Sequence, residues 1–362
     1  MNTLAITGLF SPLGRRMARL ASNFGVRVLG IDIKPLTKPF PGVEFVQADI
    51  RNPLLQQLFK SEQVDTVLHC AFRWRQRHHE EIFDSNVMGT MRLLGAAELA
   101  GVRKVVIPSS TFVYGADPNN PAFLDEGREF RGPVDYAYVR ELREIELFVN
   151  GYRRQQPEMI ITVLRFANIL GGGIPSPMSR YMALPGPPTL LGFDPMLQFL
   201  HHEDALRALG HCLMGDYNGV YNVAAPDPLP LLKALRLAGL HPLPVPHVCA
   251  YKGTRLSRVL SRRGDGLPPL PWDYLRYSWV ADTTRMREEL GFQPMYDAET
   301  TLRQFGETLR EYRYKHDPAY RLAREKWDLV RKAPARLHDT RRRAHAAWVA
   351  FRQVTQDEGG AA

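Results

Sequence analysis

Short apolar runs at 3–7, 27–31, 43–46, 64–69, 102–107 and 159–164 alternate with stretches of helical pattern over the first half of the chain. This alternation predicts an α/β fold with a doubly wound parallel sheet. Each intervening segment is helix-length and far longer than a hairpin turn, so successive strands must run parallel, with the connecting helices on both faces of the sheet. In such a sheet, ligands bind beyond the carboxyl ends of the strands, where the strand order reverses. Gly8, Asp32, Ala71, Ser110 and Arg165 all fall at such ends, which makes them the first residues to read for function.

The first run leads into Gly8-Leu9-Phe10-Ser11-Pro12-Leu13-Gly14 and then a helical stretch through Ala21. A strand, a tight glycine turn and a helix N-terminus aim backbone N–H groups and the positive end of a helix dipole at one point, which suits a pyrophosphate. Ser11 stands where a third glycine would give the closest backbone approach. Pro12 suits a first helical turn, where its missing N–H is not needed. Asp32 follows at the spacing that lets a carboxylate accept hydrogen bonds from both adenosine ribose hydroxyls and repel a 2′-phosphate. NAD is therefore the expected cofactor, with Arg15, Arg16 and Lys34 as nearby cations that would soften the preference over NADP.

A hydroxyl-rich strand end, Ser109-Ser110-Thr111, precedes Tyr136-Ala137-Tyr138-Val139-Arg140, which opens a helical stretch. A tyrosine and a cation four residues apart share a helical face. A phenol of pKa about 10 is a poor base at pH 7, and a neighbouring cation lowers that pKa. On this reading Tyr136 exchanges the proton of a carbinol, Ser110 holds its oxygen and Arg140 supplies the charge, although arginine cannot give up a proton as lysine can.

These segments resemble the extended short-chain dehydrogenases of the NAD-dependent epimerase/dehydratase family, and the nucleotide-sugar 4-epimerases in particular. The resemblance rests on Gly8 and Gly14 with Ser11 between them, on Ser109 to Gly115, and on Tyr136 with Arg140 where the family has lysine. It continues through 163–171, 198–204, 219–223 and 282–294. It implies a Rossmann-type NAD-binding domain over 1–170 with a strand return near 195–225, a smaller C-terminal substrate lobe over 171–305, and a basic helical tail over 306–362. It further implies that Gly8, Ser11, Gly14, Asp32, Tyr136 and Arg140 meet the cofactor, that Asp49 and Ile50 contact adenine, that Ala71 lies beneath the nicotinamide, that Asn86 completes the active-site quartet and that Asn168 helps bind a substrate diphosphate. Leu197 stands where the family commonly has a phosphate-binding arginine, and the 186–193 stretch is apolar. The implied activity is NAD-dependent oxidoreduction or epimerisation of a nucleotide sugar. Two alternatives stay open: a dehydrogenase or reductase of a lipid or steroid-like alcohol, and an NAD-binding regulatory or interaction protein without turnover.

Cys70, Cys212 and Cys249 give no disulfide framework, and the chain has neither a signal-peptide pattern nor an apolar run of about 18 residues, so a cytoplasmic protein is expected. Adjacent residues in His78-His79-Glu80-Glu81 and His201-His202-Glu203-Asp204 diverge in direction, so no metal site is expected. Of the formal net charge of +9, residues 310–352 supply +8, with thirteen Lys/Arg against five Asp/Glu. Two helical stretches there carry Trp and Phe stripes among arginines. The partners left open are a small-molecule substrate, a second copy of the chain in a homodimer, and an anionic membrane surface touched peripherally through 310–352. Nucleic acid is not expected.

Overall fold

The sheet strands read as almost unbroken apolar runs because helices cover both of their faces. In the computed structural model, which describes residues 2–73, 79–251, 269–318 and 320–322, the chain order is as follows. Strand β1 (Thr3–Thr7) leads to α1 (Pro12–Asn23), β2 (Arg27–Asp32), β3 (Val43–Gln47), α2 (Leu55–Ser61) and β4 (Thr66–His69). Helix α3 (His79–Phe83), a π-turn (Asp84–Met88) and α4 (Gly89–Leu99) precede β5 (Lys104–Ser110). A 3₁₀ turn (Thr111–Tyr114), α5 (Ala137–Gln155) and β6 (Ile160–Phe166) follow. Then come β7 (Asn168–Leu170), α6 (Pro177–Met182), β8 (Pro188–Leu190), β9 (Met196–Leu197), β10 (Phe199–His201), α7 (His202–Met214) and β11 (Gly219–Val223).

Seven of these strands form one parallel sheet in the order β11-β6-β5-β4-β1-β2-β3. The chain leaves β1 outward through β2 to β3, then crosses back to β4 on the other side of β1. That reversal opens a crevice above the carboxyl ends of β1 and β4. On one face, Met17 and Ala18 of α1 pack with Leu206, Leu209 and Cys212 of α7. On the other, Leu93, Leu94 and Ala97 of α4 pack with Ile145 and Val149 of α5. Each buried Leu or Ile contributes about 1.5–3 kcal/mol relative to exposure, so the two layers fix the strand ends to which the site residues are attached.

Met1–Gly306 form one compact unit and Glu307–Ala362 a second. In the second, Tyr312 stacks on His316 at 4.4 Å. The Trp327 and Trp348 stripes lie outside the described residues, as does His78. No helix among the described residues is long and apolar enough to cross a membrane.

Candidate active site

Gly8 ends β1 with φ at +70°, and a Cβ there would sit 2.4 Å from the Cys70 carbonyl oxygen and 2.6 Å from the Ala71 Cα. The turn therefore needs glycine for its backbone angle and for the close approach of the 70–71 loop. Gly14 is held as tightly, since its Cβ would lie 2.4 Å from the Gly8 oxygen. Ser11 is the N-cap of α1, and its Oγ accepts from the Gly14 N–H at 3.0 Å. The serine in the middle position thus occupies one of the helix N–H groups that a third glycine would leave to a ligand. Burial pushes the pKa of the nearby Cys70 thiol up to about 12, against a smaller opposing effect of Ser11. Replacing Gly8 by alanine is expected to destabilise the fold by at least about 1–2 kcal/mol from the backbone angle alone, readable as a lowered thermal midpoint.

Asp32 closes β2 beside this turn. Its Oδ2 accepts from the Phe10 N–H at 2.9 Å and its Oδ1 from the Lys34 N–H at 3.0 Å. Each carboxylate oxygen keeps a further lone pair for a ribose hydroxyl. The glycine cradle, the start of α1 and Asp32 together fit a dinucleotide, with fewer free N–H groups than a three-glycine turn would offer. Asp49 is engaged by Arg51 at 2.6 Å, which holds its carboxyl below the usual range. Ile50 is buried under Gly89.

A cavity of about 130 Å³ lies between the Ser11–Leu13 turn and the end of β5, walled by Cys70, Phe72, Ser110, Tyr138, Leu142 and Phe166 among others. Ser110 Oγ donates to the Phe166 carbonyl at 3.3 Å and accepts from the Phe112 N–H at 3.4 Å. Tyr138 lines the same cavity. Burial pushes the Tyr138 phenol above its ordinary range, against the smaller opposing effects of Ser110 and of the Arg180 charge from α6.

The expected pair Tyr136 and Arg140 is not on this wall. Tyr136 is the N-cap of α5, in extended conformation, and its hydroxyl donates to the Pro269 carbonyl at 3.0 Å. Arg140 is partly exposed on the flank of the helix. The position facing Ser110 belongs to Tyr138, and one turn further along that face stands Leu142, which is buried and uncharged. Helical geometry decides the matter: 138, 142, 145, 146 and 149 face inward, whereas Glu144, one turn beyond Arg140, is exposed. The sequence holds this signal, since Leu142, Ile145 and Val149 are the apolar stripe.

Asn86 is fully buried in the π-turn. Its amide donates to the Arg73 carbonyl at 2.9 Å and to Glu141 Oε2 at 2.6 Å, and its Oδ1 accepts from the Arg73 N–H at 2.9 Å. It thereby ties down the loop that carries Ala71 and Phe72. Asn168 does not line the cavity, although its neighbours Ala167 and Ile169 do. Its amide donates to the Gln198 carbonyl at 2.8 Å, the opposite direction that strand alternation gives to a residue between two inward ones. Behind the site, Arg165 and Glu146 form an ion pair, both 1% exposed, at 2.7 Å. Sequence reading placed Arg165 at a strand end but found neither its partner nor Tyr138.

The chain is similar to known proteins over most of its length. The profile of the NAD dependent epimerase/dehydratase family matches residues 4–224. An uncharacterised protein of Mycobacterium tuberculosis is 36% identical over 315 residues, covering 84% of this chain and 82% of that protein. A UDP-glucose 4-epimerase of Neisseria meningitidis is 29% identical over 148 residues, covering 39% of this chain and 43% of the enzyme. Among solved structures, the UDP-glucose 4-epimerase of Thermotoga maritima with UDP-glucose superposes with a TM-score of 0.65 at 20% identity. It covers 86% of this chain and 99% of that one. A dTDP-glucose 4,6-dehydratase of Bacillus anthracis in complex with NAD gives 0.66 at 17%, over 88% of this chain and 100% of the other. By the profile over most of its length and by its mycobacterial relative, this chain belongs to the NAD-dependent epimerase/dehydratase family, with a Rossmann-type fold.

Proposed function

We propose that the protein is an NAD-dependent oxidoreductase or epimerase acting at a carbinol or carbonyl carbon of a nucleotide sugar, with Ser110 and Tyr138 as the groups that meet the reacting oxygen. The observation that carries this reading is that Ser110 and Tyr138 share the wall of the cavity beside the Ser11–Leu13 turn. NAD, when bound, accepts or returns hydride at the carbon. Ser110 orients the oxygen, and Tyr138 holds or takes the proton on it. No cation stands one turn along the helix, and burial keeps the phenol protonated at neutral pH. Tyr138 therefore meets the reacting oxygen as a phenol, which donates its proton to a carbonyl oxygen when NADH returns hydride and must give that proton up before it can take one from a carbinol.

Titration of the purified chain with NAD and NADP, followed by incubation with UDP-glucose or UDP-galactose, tests the reading. Binding of NAD with interconversion of the two sugars supports it, and failure to bind either cofactor overturns it. Asp32→Ala is expected to narrow the preference for NAD over NADP, because the ribose hydrogen bonds and the repulsion of a 2′-phosphate leave together. Equal affinities in the wild type would remove Asp32 from that role.

One observation favours a second reading. The cavity wall is mostly apolar, and Leu197, fully buried, stands where a phosphate-binding arginine would be expected. An apolar alcohol or ketone of the lipid or steroid class fits those residues. Turnover of such a carbonyl compound with NADH, and none of UDP-sugars, would select it.

A further inference from the structure

Helix α5 carries a buried carboxyl that the chemistry above does not use. Glu141 lies one turn beyond Tyr138 and next to Leu142, and its side chain is 1% exposed. Its Oε2 accepts from the Asn86 amide at 2.6 Å, while its Oε1, also buried, has no hydrogen-bond partner. Asn86 in turn holds both backbone polar groups of Arg73, at the end of the loop that places Cys70 and Phe72 on the cavity wall. A single chain of contacts thus runs from the helix of Tyr138, through a carboxyl and a carboxamide, to the loop on the far wall of the cavity.

We infer that Glu141 is a positioning residue which, through Asn86, sets the 70–73 loop for the cofactor, and that its ionisation state tunes cofactor affinity. The inference rests on the NAD-binding reading for its functional consequence. An ionised Glu141 accepts a charge-assisted hydrogen bond from the Asn86 amide, roughly twice as strong as a neutral one. That bond fixes the carboxamide with Oδ1 toward the Arg73 N–H. A protonated Glu141 accepts more weakly and carries a proton that competes for Oδ1, so the clamp on Arg73 loosens.

The surroundings leave the carboxyl to titrate by itself. Burial pushes its pKa up to about 6, opposed by the Asn86 hydrogen bond and by Arg140, whose Nη2 is 4.0 Å from Oε1. The charged groups on the elements packed against α5 are engaged elsewhere. On the π-turn, Asp84 pairs with Arg51. In the 3₁₀ turn, Tyr114 is held by Arg165 and Asn222. On α4, Arg92 donates to the Arg51 carbonyl and Glu98 accepts from Tyr152. On β6, Arg165 pairs with Glu146.

The test measures NAD affinity of the full chain from pH 5 to pH 8, with thermal unfolding midpoints of the cofactor-free protein over the same range, for wild type and Glu141→Gln. Glutamine keeps the acceptor and cannot titrate. Wild-type affinity is expected to fall several-fold as pH drops through about 6, whereas the Gln variant stays level. The folded-state pKa is raised for an acid, so ionisation costs the folded protein stability as pH rises from 4.5 to 6. The midpoint of the Gln variant should therefore gain on that of the wild type across this window. Parallel affinity profiles overturn the inference. If neither protein binds NAD, the cofactor reading fails, and the unfolding curves still judge Glu141: a constant difference between them overturns its titration.

Discussion

Replacing Tyr138 by phenylalanine is expected to lower turnover of the true substrate by about 10²–10⁴-fold, the usual contribution of a positioned acid–base group. NAD affinity should stay within a few-fold, since only a hydroxyl on the cavity wall is lost. Tyr136→Phe is expected to leave turnover nearly unchanged, because its hydroxyl is spent on the Pro269 carbonyl. Sugar interconversion or carbonyl reduction, measured on both variants, separates the two tyrosines. A loss confined to Tyr136→Phe would return the proton-exchanging role to the N-cap residue and remove Tyr138 from it. Leu142→Lys provides the complementary gain. A cation one turn beyond the phenol lowers its pKa and should speed the oxidative direction, provided the new ammonium reaches the cavity as the leucine side chain does.

The parallel sheet was legible because strands covered on both faces leave apolar runs, and the tight turn after β1 because close backbone approach demands glycine at Gly8 and Gly14. The tyrosine on the cavity wall is not the expected Tyr136 but lies two residues further on, for a local reason. Tyr136 and Tyr138 both precede the apolar stripe, and a Tyr-x-x-x-cation match selects the former, although Tyr138 is the one in phase with Leu142, Ile145 and Val149. Periodicity of the helix is the stronger signal, since it follows from burial, whereas a four-residue spacing follows only from composition. Asn168 was assigned a substrate role from its segment, but alternation along β7 turns it toward Gln198. The Glu141–Asn86 contact joins residues 55 positions apart, and no local pattern announces which buried carboxyl meets which amide.

Truncating Glu146 to alanine is expected to destabilise the protein by about 3–5 kcal/mol, the cost of leaving one member of a buried ion pair uncompensated. That is a large share of the roughly 5–15 kcal/mol that holds a domain together. Arg165 is the charge left behind. Its Nε and Nη2 meet Glu146 Oε2 at 2.8 and 2.7 Å, and its Nη1 meets the Tyr114 hydroxyl at 2.7 Å and the Glu126 carbonyl at 3.0 Å. Ser109 Oγ donates to the other Glu146 oxygen at 2.5 Å, and Tyr114 donates to Asn222 on β11. One guanidinium therefore ties α5, β5, β6 and β11 together directly beneath the end of β5, where Ser109 and Ser110 pair with Arg165 and Phe166. A denaturant midpoint lowered with unchanged slope would show loss of stability without loss of cooperativity. Because desolvation opposes the Coulombic gain of any buried pair, the double variant Glu146→Leu/Arg165→Met should recover much of the loss. If it is as unstable as Glu146→Ala, the pair contributes net stability in its own right. If Glu146→Ala costs less than about 1 kcal/mol, in the range of an exposed pair, Arg165 has found water or another partner, and the pair does not fix the strand ends that carry Ser110.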